Sequence, residues 1–294
     1  MVAKISLIKA IEEYRDIYLA YRNFAQRTRI EYVNDLEDLV KYLDGVGVHN
    51  VGEVELPHLV RYFAELEKRG FAGSTRKRKT ISIRSFLSFS HMEGYILSDI
   101  GKRLIPPYVE ARKPHFLTTE ETEQLLACAK NNKRDYAIMQ LMLQTGIRLS
   151  ELTWLTLNDL QITDTVDDKG EKVRYIRVIG NQRNNDRVIP LNQKASSALD
   201  DYLSKRKTSS NEFLFLNRIG ERMSGRGVEK IGAKYFKLAN ITNATVNSLR
   251  HTFGTNQMAR GVNLKVIQKM MGHKDSRTTS LYIEIGNELR KDVQ

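Results

Sequence analysis

Between Ser98 and Phe116 the chain runs through Gly101, the pair Pro106-Pro107, Pro114 and four cations, Lys102, Arg103, Arg112 and Lys113. Proline fixes φ and has no N–H to donate, so this stretch can neither continue a long helix nor join the interior of a sheet. It reads as a stiff linker. It splits the 294 residues into a domain at 1–97 and another at 118–294, with the linker at 98–117. Two domains also suit a chain of this length.

The two halves have different periodicities. Over residues 5–94 apolar residues recur at three and four: Ile30, Val33, Leu36, Leu39, Val40 and Leu43, ended by Gly45 and Gly47, then Leu59, Phe63 and Leu66 before Gly70. After Gly73-Ser74 a third stretch places Ile81, Ile83, Phe86, Leu87 and Phe89 on an apolar side, with Gly94 near its end. This predicts an all-helical unit of about four helices. In the second half Thr118 and Glu121 have the spacing of a capping box. Helices are predicted at about 119–130 and 134–145, the latter ending at Gly146. The alternation Val173, Tyr175, Arg177, Ile179 predicts a strand, with Arg187–Leu191 as its hairpin partner and Gly180–Asp186 as the turn. Helices return after it. The fold class expected is mainly α with a small antiparallel β-sheet.

Charge narrows the function. A formal net charge of +12 gives a field that attracts a polyanion, most simply nucleic acid. Cys128 is the only cysteine, which excludes an intramolecular disulfide and a cysteine-built zinc site and suits a reducing cytoplasm. No apolar run approaches the roughly 18–20 residues of a membrane helix, and Met1–Tyr14 carries Glu12 and Glu13 in place of a signal-peptide core. The expectation is a cytoplasmic protein without membrane contact.

Ser74-Thr-Arg-Lys-Arg-Lys-Thr80 sets four consecutive cations at a helix start, the unfavourable end of the helix dipole, so a compensating anion is expected there. DNA phosphate would serve, with the hydroxyls of Ser74 and Thr75 as further donors; a solvated charge run is the alternative. Gln26-Arg-Thr-Arg29 opens another helix in the same way. The candidate DNA contacts are therefore Arg27, Thr28, Arg29, Ser74, Thr75, Arg76, Lys77, Lys79 and Arg84.

Two further segments carry chemistry. In Thr145-Gly-Ile-Arg-Leu-Ser-Glu-Leu152, Arg148 stands among apolar residues just past a helix stop, with Ser150 placed to cap the next helix and Glu151 as a natural ion-pair partner. Near the end come Ser248-Leu-Arg-His-Thr-Phe253, then His273 in Met-Gly-His and Tyr282 in Thr-Thr-Ser-Leu-Tyr. Each alone could be a core residue. In the order Arg148, Leu249-Arg250-His251, Gly272-His273, Tyr282, they resemble the tyrosine recombinase, or phage-integrase, family, and within it the short Xer-like site-specific recombinases. The resemblance covers nearly the whole chain, matching a helical core-binding domain and a catalytic domain that clamp DNA.

The resemblance implies a DNA strand transferase that works through a 3′-phosphotyrosine and a Holliday junction, in integration, excision or resolution, with no cofactor and no metal. It implies Tyr282 as nucleophile, Arg148 and Arg250 as donors to the phosphate oxygens, His273 as a hydrogen-bonding or proton-moving partner, and Glu151 as support for Arg148. The partners implied are double-stranded DNA with an inverted-repeat core site, and copies of the same chain, two per site and four in the synapse. The segment Ile283–Val293 would pass between neighbours or cap its own subunit.

Two positions depart from the family pattern. Asn247 stands where a histidine is usual and cannot relay a proton. The hairpin turn Gly180-Asn-Gln-Arg-Asn-Asn-Asp186 has no lysine; Arg183 is its only cation and the candidate substitute, a poor general acid that could still stabilise the leaving oxygen electrostatically, or else an exposed turn residue. A binding protein that has lost chemistry, or a type IB topoisomerase-like activity, are the competing readings.

Overall fold

The structure is a computed structural model that describes residues 4–110, 115–166, 172–180, 186–207, 210–273 and Tyr282. It divides into two compact units, Met1–Ala111 and Arg112–Gln294.

The first unit is helical. A helical run comprises α1 (Leu7–Glu13), a π-helical turn at Tyr14–Tyr18 and α2 (Leu19–Tyr21). It is followed by α3 (Gln26–Asp44), α4 (Leu56–Lys68) and α5 (Gly73–Met92). Leu36, Leu39, Leu43, Leu59, Leu66, Ile83 and Phe86 meet in one core, which also takes in Tyr14 and Tyr62. Two predicted core residues are misassigned: Ile30 and Ile81 are 52% and 43% exposed, each on the outward edge of its helix's apolar stripe. The linker prediction also needs correction at its start. Ile100–Arg103 forms a 3₁₀ turn, and Leu104 is buried in the first core.

In the second unit α6 (Thr119–Ala129) carries the capping box: Glu121 N–H donates to Thr118 Oγ1, and Thr118 N–H to the Glu121 carboxylate. Next, α7 (Lys133–Thr145) is buried on nearly every side from Ala137 to Leu143, so it forms the centre of the core. It stops where Gly146 takes φ +61°, a left-handed conformation that glycine adopts without steric cost; a Cβ there would also strike Phe253. The short α8 (Leu149–Trp154) leads into a sheet of order β1-β2-β3: Leu160–Val166, Lys172–Val178 and Arg187–Leu191, all antiparallel. The first strand was not foreseen; its Ile162 is 60% exposed, so it lacks the clean alternation of a half-buried strand. Then come α9 (Gln193–Leu203), α10 (Gly225–Leu238), α11 (Val246–Ala259) and α12 (Leu264–Met271). Among the described residues no helix is long and apolar enough to cross a membrane.

Candidate active site

The site is assembled at the end of α12. The last carbonyls of a helix have no partner within it and together carry partial negative charge. Here each is accounted for. Gly272 takes φ +65°, which turns its N–H and that of His273 back onto the carbonyls of Lys269 and Gln268, as in a Schellman-type end. The next three carbonyls each accept from an arginine: Met270 from Arg187 Nε at 2.7 Å, Met271 from Arg250 Nη2 at 2.6 Å, and Gly272 from Arg148 Nη2. A Cβ on Gly272 would lie within 3.0 Å of both Arg148 and Arg187, so only glycine lets the guanidinium groups close on this backbone.

Three different elements deliver those arginines. Arg148 is itself the N-cap of α8, and Glu151 Oε2 accepts its backbone N–H at 2.9 Å while Oε1 accepts from its Nη1 at 2.9 Å. Ser150 therefore does not cap this helix; the cap falls two residues earlier, at Arg148, with Glu151 as its capping-box partner. Arg187 opens β3 and shares its inward face with Ile189 and Leu191. It grips both oxygens of Glu151, at 2.9 and 2.7 Å, and is 7% exposed. Arg250 comes from α11, is 6% exposed, and donates its other terminal nitrogen to the carbonyl of Gly146, so it ties the end of α7 to the end of α12.

Asn247, Arg250, His251 and Gly254 fall at intervals of three and four, one face of α11. Tyr282 lies on that face. It is 1% exposed, its hydroxyl stands 3.0 Å from His251 Nδ1, and its ring packs on that of His273 with centroids 6.2 Å apart. A Cβ on Gly254 would meet the tyrosine ring at 2.8 Å. Phe253, Ile267 and Met271 complete the apolar bed of the ring.

Three guanidinium groups thus face one carboxylate, and the electrostatics follow. Burial, then the charge of Arg148, pushes Arg250 down to about 10. Burial opposes ionisation of Glu151, but the hydrogen bonds and charge of Arg187, with those of Arg148, outweigh it and hold its carboxyl below the ordinary range. Burial, then Arg250 and Arg148, lowers His273 to about 4. Burial raises Tyr282 against the opposing charge of Arg250. An anion entering here relieves each of the repulsive contributions.

Arg148, Glu151, Arg250, His273 and Tyr282, scattered over the second half of the sequence, are thus brought together. Asn247 lies one turn from His251 and is exposed. Arg183 and Ile283–Val293 lie outside the described residues. Arg187 and the Tyr282 partner His251 were not foreseen as site residues, although signals existed: strand alternation puts Arg187 on the same side as Ile189 and Leu191, and His251 is four residues past Asn247. Among the described residues no group of three or more His, Cys, Asp or Glu could hold a metal ion.

In the first unit, the basic helix starts are less uniform than their sequence. Lys79 is 4% exposed and pairs with Asp35 at 3.3 Å and Asp38 at 2.9 Å, so its assignment as a DNA contact is withdrawn: its charge is spent inside the unit. Arg76 pairs with Glu67 at 2.9 Å, and Arg78 with Asp35 and with Glu31 at 3.4 Å. The compensating anions expected at this helix start are thus largely carboxylates of the same unit. Lys77 and Ser74 are exposed, and Thr75 and Arg84 half-buried. On α3, Arg27 reaches solvent with Glu31 at 3.9 Å, while Arg29 donates to the Phe24 carbonyl and, like Thr28, is half-buried.

The chain belongs to the phage integrase family: the family's catalytic model matches residues 115–288, and the model of its N-terminal SAM-like domain matches residues 11–94. Within that family it is similar along nearly its whole length to Xer proteins. Tyrosine recombinase XerC of Pelotomaculum thermopropionicum is 31% identical over 95% of this chain and 95% of the relative. Tyrosine recombinase XerD of Halalkalibacterium halodurans is 28% identical over 96% and 95%. In fold it resembles a lambda integrase dimer bound to a COC′ core site (TM-score 0.75, 17% identity, 95% of this chain and 77% of that one). It also resembles XerH bound to palindromic difH substrate (TM-score 0.75, 18% identity, 98% and 82%). Its activity is that of a tyrosine site-specific recombinase.

Proposed function

We propose that Arg148, Arg250, His273 and Tyr282 are the strand-cutting residues of this recombinase, with Glu151 and Arg187 holding Arg148 in place. The observation that carries the reading is the threefold excess of guanidinium over carboxylate at the end of α12, beside the Tyr282 hydroxyl. A phosphodiester under attack gains charge on its non-bridging oxygens, and preorganised charged donors stabilise that charge in a dry site. Each guanidinium has five N–H donors, and the bonds named above use two on Arg148 and two on Arg250. Among the described residues the others have no hydrogen-bond partner, and on this reading they serve the phosphate oxygens. Tyr282 Oη attacks phosphorus and the 5′ oxygen departs, leaving a 3′-phosphotyrosine. That bond keeps the energy of the one broken, so a 5′ hydroxyl from another strand can reverse the step without a nucleotide cofactor. His273, kept neutral by burial and its arginine neighbours, can hydrogen-bond a phosphate oxygen.

The substrate on this reading is double-stranded DNA with an inverted-repeat core site, bound by residues of both units in the cytoplasm. Arg27, Thr28, Arg29, Ser74, Thr75, Lys77 and Arg84 would contact its backbone, and Arg76 would do so only by leaving Glu67. Lambda integrase, which shares the fold, has been solved as a dimer on a core site and as a tetramer on a Holliday junction; we extend two copies per site and four per synapse to this chain. The test is covalent capture. The protein is incubated with a nicked random-sequence duplex library, denatured, and its attached DNA sequenced. Recovered strands should share an inverted repeat and end in a 3′ phosphate on Tyr282. Absence of any adduct with the unmodified protein would refute the reading.

A further inference from the structure

The reaction needs a group to take the tyrosine proton, and the position where a histidine is usual holds Asn247. One helical turn along the same face of α11, His251 puts Nδ1 3.0 Å from the Tyr282 hydroxyl. From this geometry we infer that His251 is the base that accepts the Tyr282 proton during cleavage. The inference rests on the assignment of Tyr282 as nucleophile.

In the tautomer that carries the ring proton on Nε2, Nδ1 accepts the Tyr282 O–H, and that is the form the proposed step uses. The ring sits where a base must sit, within hydrogen-bond reach of the proton it removes. Its surroundings favour the neutral ring over imidazolium: burial, then the charge of Arg250, lowers its basicity. Among the described residues, the titratable or charged groups that face it are Arg250 on its own helix, Tyr282, and His273 beyond the end of α12. Arg250 works on both partners, since it also opposes the effect of burial on Tyr282. Phosphate bound at Arg148 and Arg250 would offset the positive charge that disfavours imidazolium, making His251 a stronger base when substrate is present.

The step balances as follows. The Tyr282 O–H bond breaks and its proton passes to His251 Nδ1, giving imidazolium. The phenolate oxygen forms the bond to phosphorus, the bond from phosphorus to the 5′ oxygen breaks, and that oxygen takes a proton from water. In the reverse step the imidazolium returns its proton to the departing tyrosine oxygen. His251 thus serves the nucleophile, and a different donor serves the 5′ oxygen.

The experiment uses the full-length protein and the duplex selected by covalent capture, in single-turnover adduct formation. His251→Gln keeps a hydrogen-bond acceptor without a titrating base, and His251→Ala opens space for added imidazole. Both should slow adduct formation by about 10²-fold or more at unchanged DNA affinity. Imidazole should partly restore His251→Ala, and the acid limb of the pH–rate profile should vanish in His251→Gln. A substrate with sulfur replacing the bridging 5′ oxygen, which needs no proton on departure, should leave the defect in place. Recovery of the normal rate with the sulfur substrate would move His251 to the leaving group and overturn the inference. So would a His251→Gln variant within about threefold of the unmodified protein, which would make the ring only a support for the tyrosine. Failure of the unmodified protein to form an adduct would instead strike at the assignment of Tyr282.

Discussion

Each unit holds a cluster of three cations around at least one buried member, Lys79 in the first and Arg187 and Arg250 in the second, and the two clusters differ in what opposes them. In the first, Arg69, Arg78 and Lys79 meet Glu31, Asp35 and Asp38, while Tyr62 and Ser82 donate further hydrogen bonds to the aspartates. Charge is balanced there, three against three. In the second, Glu151 is the one carboxylate among the described residues that Arg148, Arg187 and Arg250 meet, and their other hydrogen bonds named above go to neutral carbonyls at two helix ends. Carbonyl oxygens satisfy donors without cancelling charge. A balanced cluster holds its unit together and has no excess charge to offer; an unbalanced one still favours an arriving anion. The sequence of the first cluster, with its four consecutive cations, is the more conspicuous of the two, so local charge density is a poor guide to which of them faces phosphate.

The sharpest test of that contrast is removal of the nucleophile proposed beside the unbalanced cluster. Tyr282→Phe should abolish the covalent adduct while DNA affinity is retained; an adduct on gel after that change would remove Tyr282 from the mechanism. Next in size, Arg250→Ala should cost about 3 kcal/mol or more in transition-state stabilisation, a cleavage rate lower by roughly 10²–10³-fold. Since Arg250 also joins the ends of α7 and α12, thermal unfolding should be followed in parallel, and a rate loss that merely tracks unfolding would count against a role in chemistry.

Arg187→Met asks whether Glu151 depends on the pairing. Removing one partner of a buried ion pair typically costs about 3–5 kcal/mol, and here Arg148 still partners the carboxylate, so about 3 kcal/mol of unfolding free energy is expected, with Arg148 loosened and cleavage slowed as well. Denaturant midpoints unchanged within error would show that Arg148 alone keeps Glu151 ionised.

The pH response follows from His273. Burial and the neighbouring arginines lower it to about 4, below the ordinary histidine value of 6.5, so between these limits the unfolded chain binds more protons. Stability from this group is therefore present above about pH 6.5 and is lost as pH falls toward 4. His273→Asn should flatten the stability profile of the protein in that window, measured by urea unfolding at several pH values; an unaltered slope would place the titration elsewhere.

Much of this was legible in the sequence, for physical reasons that differ by element. The helices of the first unit, the capping box at Thr118 and the stop at Gly146 follow from local rules acting within a few residues. The strand Arg187–Leu191 was legible from alternation, yet the same alternation was not used to ask what Arg187 was doing on the core side. β1 escaped because its exposed Ile162 blurs the period. Tyr282, Arg148 and Arg250 were recognisable through their order, but the geometry that unites them, three arginines on three consecutive carbonyls, is a tertiary fact with no local signature. Lys79 failed for the converse reason: its sequence neighbours argue for a surface, while its partners Asp35 and Asp38 lie more than 40 residues away, at |i−j| of 44 and 41.

The smallest expected effect separates the exposed cation of that run from the buried one. Lys77 is exposed, whereas Lys79 is spent on Asp35 and Asp38. If Lys77 touches phosphate, Lys77→Ala should weaken DNA binding about equally for all sequences and reduce the slope of log affinity against log salt by about 1. Lys79→Met should leave that slope as it was and instead lower the stability of the first unit, because it strands two aspartates that Arg69 and Arg78 only partly cover. Salt titrations of both variants on one duplex decide the matter: equal slopes for Lys77→Ala and the unmodified protein would take the basic start of α5 off the DNA, and a reduced slope for Lys79→Met would mean that its aspartate partners release it when DNA binds.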